Sequence, residues 1–216
     1  MQDYTPVQYG VISRLFKCKK TILGDISQTV NPYSASSADT IEQVFPQADI
    51  VKLFRSYRST WEITAFAQRI IHNSDLIPME RHGAVPALKV FDSNEEEAAY
   101  IKSMIETFKK SGYQSMGIIC KTNDQAEFLF QQLKVVHGIQ HLTASSTAIK
   151  DGVIITTAHL AKGLEFDEVV VPFASARNYQ TEVDRRMLYI GCTRAMHQLT
   201  ITFTKEVSGF LVASYP

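Results

Sequence analysis

Apolar positions along this chain fall into two alternating rhythms. The runs Val153 to Ile155 and Val169 to Val171 are short, β-branched and free of polar alternation, the pattern of strands buried on both faces of a parallel sheet. Further strands are predicted at Thr21 to Leu23, Ile50 to Phe54, Ala87 to Phe91, Met116 to Cys120, Ile139 to Thr143 and Gln198 to Phe203. Between them the spacing turns helical. Tyr4 to Cys18 places Val7, Val11, Ile12, Leu15 and Phe16 at helical intervals, with Pro6 tolerated in a first turn. Thr60 stands as an N-cap ahead of Ile63, Phe66, Ile70 and Ile71. Glu95 to Lys110, Asp124 to Val136 and Val183 to Met196 complete the helices. Residues 29 to 40 and His72 to Pro86, rich in turn-forming side chains, read as loops. Strands alternating with helices of this length specify an α/β fold with a doubly wound, mostly parallel sheet flanked by helices.

Composition narrows the function classes. The 216 residues carry 22 basic and 22 acidic side chains, a net charge of zero, which argues against a wholesale polyanion binder. Any nucleic-acid contact must come from a local patch. Cys18, Cys120 and Cys192 are odd in number and form no CxxC, so neither a disulfide framework nor a zinc site is expected, and a reducing cytoplasmic setting fits. No apolar run approaches the roughly 18 residues of a spanning helix, and no membrane association is expected.

Candidate chemistry concentrates in a few short stretches. Thr156, Thr157, His159, Lys162, Gly163 and Glu165 crowd hydroxyl, imidazole, amine, free backbone and carboxylate into ten residues, at a strand's C-terminal end where open α/β sheets place ligand sites. Arg186, Ile190 and Arg194 share one stripe of a helix, so Arg194 is expected to project from its far end. An arginine on a rigid element is well suited to stabilise charge on a transferring phosphoryl group. Tyr57 and Arg58 sit at a strand-to-helix junction, and Gly24 to Gln28 delivers a carboxylate and an amide at a strand tip. Each has a plainer reading alone: Arg194 as a helix-end cation, Gly24 to Gln28 as an ordinary turn, Tyr33 as a surface aromatic.

Taken together these stretches resemble a known family. Residues 156 to 167 (TTAHLAKGLEFD) and 185 to 195 (RRMLYIGCTRA) look like the last two signature motifs of the UvrD/Rep-type superfamily 1 helicases. GDISQ (24 to 28) and SYRST (56 to 60) look like the two that precede them, and Gln2-Asp3-Tyr4 resembles the tail of a DEAQD motif. The phrases around Tyr57 and Arg194 are most similar to the HelD-like branch. The resemblance implies a RecA-like fold: residues 1–40 as the tail of a first motor lobe plus a linker, and 41–216 as the second lobe. It implies that Gln28 senses the terminal phosphate, Tyr57 stacks on adenine, and Arg58 and Arg194 reach the γ-phosphate as arginine fingers. Glu165 would accept from the ribose, with Gly163 allowing close backbone approach. Thr157 and His159 would touch phosphates of single-stranded DNA, or of a duplex junction, and Tyr33 would stack on a base. Asn31 and Ser34 depart from the Tyr and Arg of many relatives.

No GxxxxGK[ST] occurs, nor the Asp-Glu pair that would hold Mg²⁺ and activate water. ATP and Mg²⁺ are therefore expected to be bound mainly by an N-terminal motor lobe of the same protein, and this chain is expected to be inactive alone. Two alternatives stay open: an ATP-driven remodelling factor acting on RNA polymerase, as the HelD-like likeness implies, or a non-catalytic scaffold of the same fold.

Overall fold

The computed structural model describes residues 3–25, 28–29, 34 and 38–212. Thr5 opens helix α1 (Pro6–Leu15): its hydroxyl accepts from Gln8 N while the Gln8 side chain accepts from Thr5 N, and Pro6 fills the first turn, where a missing N–H is harmless. Helix α2 (Ala38–Val44) follows, its first three residues overlapping the end of the loop expected over residues 29 to 40. Tyr9 and Ile41 are buried between them, with Ile12, Ile22, Val44 and Phe45 packed around. The strands predicted at Thr21 to Leu23 and Ile50 to Phe54 do not form; both runs lack regular structure. A strand needs a ladder of neighbours, and the described residues of this region offer none. Residues Met1–Phe54 make one compact unit and Arg55–Pro216 a second.

The second unit runs β1 (Arg55–Ser56), α3 (Trp61–Ile70), β2 (Ile77–Pro78), β3 (Ala87–Phe91), α4 (Asn94–Phe108), β4 (Ser115–Cys120), α5 (Asn123–Leu133), β5 (Ile139–His141), β6 (Gly152–Thr157), β7 (Phe166–Val171), α6 (Glu182–Cys192), β8 (Ala195–Thr204) and α7 (Gly209–Val212). Hydroxyl caps start the helices: Thr60, Ser93, Thr122 and Thr181 each accept from a backbone N–H of the following turn. Six strands form one sheet in the order β3-β8-β7-β4-β6-β5, parallel at every pairing. The short strands β1 and β2 pair separately, also in parallel; β2 falls inside the stretch from His72 to Pro86 that the sequence presents as a loop, and β1 just after the strand expected at Ile50 to Phe54.

Alternation along the strands assigns the two faces. Ile118, Ile155 and Val170 join Ile101, Ile105, Leu129 and Leu133 of α4 and α5 in one buried cluster. Ile119 and Val171 point the other way, where α6 presses so closely that a Cβ on Gly191 would lie 3.3 Å from the Val171 side chain. Both faces are therefore covered by helices, which is why the central strands are apolar without alternation.

Candidate functional site

Register divides the conspicuous stretch from Thr157 to Glu165 between opposite edges of the sheet. Thr157 ends β6 level with Cys120, the last residue of β4, at the C-terminal edge. Phe166 begins β7 opposite Ala195, the first residue of β8, at the N-terminal edge. Asp167 confirms the level: its Oδ2 accepts from the N–H groups of Gln114 and Ser115 at the start of β4, both at 2.9 Å. The expectation of one site gathered at a strand's C-terminal end is thus corrected. Because β7 is parallel to β6, the connection must return the chain across the sheet before the next strand can begin.

At the N-terminal edge, three predicted residues meet. The N-cap at Thr60 fixes where α3 starts and leaves Tyr57 and Arg58 on the approach to it. Tyr57 is 64% exposed. Arg58 Nε donates to Glu165 Oε1 at 2.5 Å, and Ser59 Oγ donates to the Ala195 carbonyl at 2.6 Å. Arg194 follows the last turn of α6, and it does not project: it is 1% exposed. Its Nη1 donates to Leu164 O at 3.3 Å, its Nε to Ile190 O at 3.3 Å, and its own carbonyl accepts from Phe166 N at 3.0 Å. The run Leu164–Glu165–Phe166 is therefore held by Arg194 at both ends and by Arg58 in the middle. Gly163, just before it, is exposed with φ of 89° and open space around its Cα, a backbone that a side chain would strain. An exposed ring, a guanidinium, a carboxylate and bare backbone here fit half of a nucleotide site. No group of three His, Cys, Asp or Glu among the described residues converges to hold a metal ion.

At the C-terminal edge, Thr157 is buried and His159 exposed, in a turn pinned by Ala158 N to Cys120 O and Ala161 N to Thr157 O. Lys121, beside Thr157 in the register, carries no sequence signal. Its Nζ pairs with Asp184 at 2.6 Å, donates to Asn178 O and lies 5.4 Å from the centre of the Tyr179 ring. Burial pushes the Asp184 carboxyl up, but the Lys121 ammonium and the N–H groups of Gln180 and Thr181 outweigh it and hold it below the usual range. Glu97 of α4 lies close by, fully buried and pushed up by that burial, accepting from Phe173 N and Thr202 Oγ1 while its Oε2 lacks a partner. Burial also raises the Cys120 and Cys192 thiols, which removes them as nucleophiles.

Gln28 belongs to the first unit, where its side chain donates to Asp25 Oδ2 at 2.7 Å. Tyr33 and Asn31 lie outside the described residues.

The model of the UvrD-like helicase C-terminal domain matches residues 152–202, which hold both Thr157–Glu165 and Arg194. The ATP-dependent DNA helicase UvrD2 of Mycobacterium tuberculosis is 28% identical over 142 residues, 58% of this chain and 20% of that protein. PcrA of Leuconostoc citreum, also an ATP-dependent DNA helicase, is 25% identical over 146 residues, 61% of this chain and again 20% of its own length. The chain thus spans about a fifth of these curated relatives. The crystal structure of the C-terminal domain of a possible DNA helicase from Lactobacillus plantarum superposes with a TM-score of 0.63 at 34% identity, over 74% of this chain and 94% of that one.

Proposed function

This chain belongs to the UvrD-like helicase C-terminal domain family, and from that premise we propose that it is the second motor lobe of an ATP-dependent DNA helicase or translocase. The observation that carries the reading is the meeting of Arg58, Glu165 and Arg194 around one short peptide. Phosphoryl transfer requires positioning and positive charge where negative charge develops, and two guanidinium groups on one lobe supply it to a nucleotide held by another. ATP and Mg²⁺ would be held mainly by an N-terminal lobe. Tyr57 offers the base a face, Arg58 exchanges Glu165 for the γ-phosphate, and the released Glu165 takes the ribose hydroxyl beside Gly163. Arg194 joins the phosphate contacts only where closure draws it off the Leu164 carbonyl, and Gln28 is the proposed sensor of the terminal phosphate. Thr157 and His159 grip the backbone of single-stranded DNA or a duplex junction, with Tyr33 as a base platform. Closure of the lobes on ATP would then move the gripped strand.

The test is DNA-stimulated ATPase activity of the whole protein. Arg58→Ala is expected to lower kcat by ~10³-fold or more, the scale of a lost arginine finger. Near-normal turnover in that variant would refute the reading. Run with RNA polymerase in place of DNA, the same assay addresses the polymerase-directed alternative: stimulation by polymerase alone would replace the reading.

A further inference from the structure

Arg81 lies in the loop after β2, where no sequence pattern marks it, yet the two arginine-bearing segments meet at its guanidinium. Its Nη2 donates to two carbonyls, that of Arg58 and, at 3.1 Å, that of Met196, two residues beyond Arg194. The loop around it is zipped onto the start of α3. Trp61 N donates to Arg81 O at 2.8 Å, Gly83 N donates to Glu62 Oε2 at 2.9 Å, and His82 Nδ1 lies 2.8 Å from Glu62 Oε1. A Cβ on Gly83 would come within 2.6 Å of the Thr60 methyl, so the Gly83 backbone lies directly against the Thr60 side chain. Upstream, the β1–β2 ladder pairs Ser56 with Pro78. Residues 77–83 therefore form a splint along residues 55–62, and Arg81 is the side chain that reaches from the splint to the beginning of β8.

Resting on the nucleotide reading above, we propose that Arg81 is a positioning residue for the reaction: it holds the backbone of Arg58 and the strand after Arg194 in one frame, so the Arg58 guanidinium is aimed at the phosphate beside the peptide that buried Arg194 braces. Only Ser59 Oγ to Ala195 O otherwise joins the Arg58 segment to β8 by a described side-chain bond. Two carbonyls on one terminal nitrogen suit a planar fork whose donor directions are fixed, and a lysine ammonium satisfies the same pair less rigidly. Losing that frame misplaces Arg58 without removing it, which costs turnover more than nucleotide affinity.

The experiment uses Arg81→Met and Arg81→Lys, in this chain and in the whole protein. In the chain labelled with ¹⁵N-arginine, R81M is expected to shift the Nε–Hε resonances of both Arg58 and Arg194 and to speed their exchange with water. The resonance of Arg185, held by the Ile70 carbonyl on α3, should stay in place. R81K should return both resonances toward wild type, and it alone decides the question should R81M not fold. In the whole protein R81M is expected to lower kcat by roughly 10-fold to 100-fold with KM for ATP within about twofold, and R81K to recover part of the loss. Unmoved Arg58 and Arg194 resonances, or a rise in KM at constant kcat, would overturn the role of Arg81 while leaving the helicase reading intact. A wild-type protein without ATPase activity would overturn that reading and, with it, any part for Arg81 in the reaction.

Discussion

Arg58 and Arg194 carry the same charge in unlike settings. The Arg58–Glu165 pair is partly open, with 32% and 44% of the two side chains exposed, and pairs of that kind contribute roughly 0–1 kcal/mol. On the proposed reading, exchange of Glu165 for a phosphate would therefore cost little. Arg194 is folded into the protein and holds the carbonyls of Ile190 and Leu164. Its truncation leaves a void and stranded acceptors, so Arg194→Ala is expected to lower unfolding free energy by roughly 2–4 kcal/mol, against about 1 kcal/mol or less for Arg58→Ala. Denaturant midpoints of the two variants measure the difference. The expectation of a projecting Arg194 follows from helical spacing, which fixes the stripe a residue occupies but not whether the next strand closes over it. The place of Tyr57 and Arg58 just ahead of α3 was legible because Thr60, an N-cap, follows in the same short stretch. Arg81 was not, because its partners are main-chain carbonyls of residues distant in sequence.

Helix α6 spans the sheet, with Asp184 in its first turn near the C-terminal edge and Arg194 following its last turn at the other. Thr181 and Asp184 cap it reciprocally, and Lys121 fastens Asp184 to the end of β4. Breaking a largely buried pair by removing one partner leaves an uncompensated charge, so Lys121→Met is expected to cost about 3 kcal/mol at neutral pH. Asp184 titrates lower in the fold than in the unfolded chain. Its contribution is therefore present above the ordinary aspartate pKa and fades as pH falls through the depressed value. The gap between wild type and K121M should accordingly narrow below about pH 4, as read from urea midpoints across pH 3 to 7. The strands β3, β4 and β6 to β8 and the helices between them were readable from apolar rhythm to within a few residues. The two-residue strands β1 and β2 are too short for any period, and the reversal of edges between Thr157 and Glu165 depends on pairing, which a linear pattern does not encode.

The buried cluster that unites the sheet with α4 and α5 draws only on residues between Ala98 and Phe173, all in the second unit. Residues 55–216 alone are therefore expected to unfold in one cooperative transition, with fluorescence and circular dichroism midpoints coinciding. Non-coincident midpoints would show that the division at Phe54 and Arg55 is not a folding boundary. Among the described residues of the first unit only Tyr9 and Ile41 are buried apolar side chains, and Val7, Val11 and Leu15 leave a row of side chains at least half exposed along α1. The neutral overall charge, legible at once from composition, leaves polyanion attraction to local groups.

The run from Thr157 to Glu165 has a mechanical consequence. It is a tether without slack: its first residue ends one strand, its last precedes another, and Ala158, Ala161 and Leu164 are bonded along the way. Were the chain the motor lobe proposed above, tension on a gripped nucleic-acid strand would reach Glu165 through this peptide. Opposing load in an optical trap should then slow nucleotide turnover and stepping by the same factor.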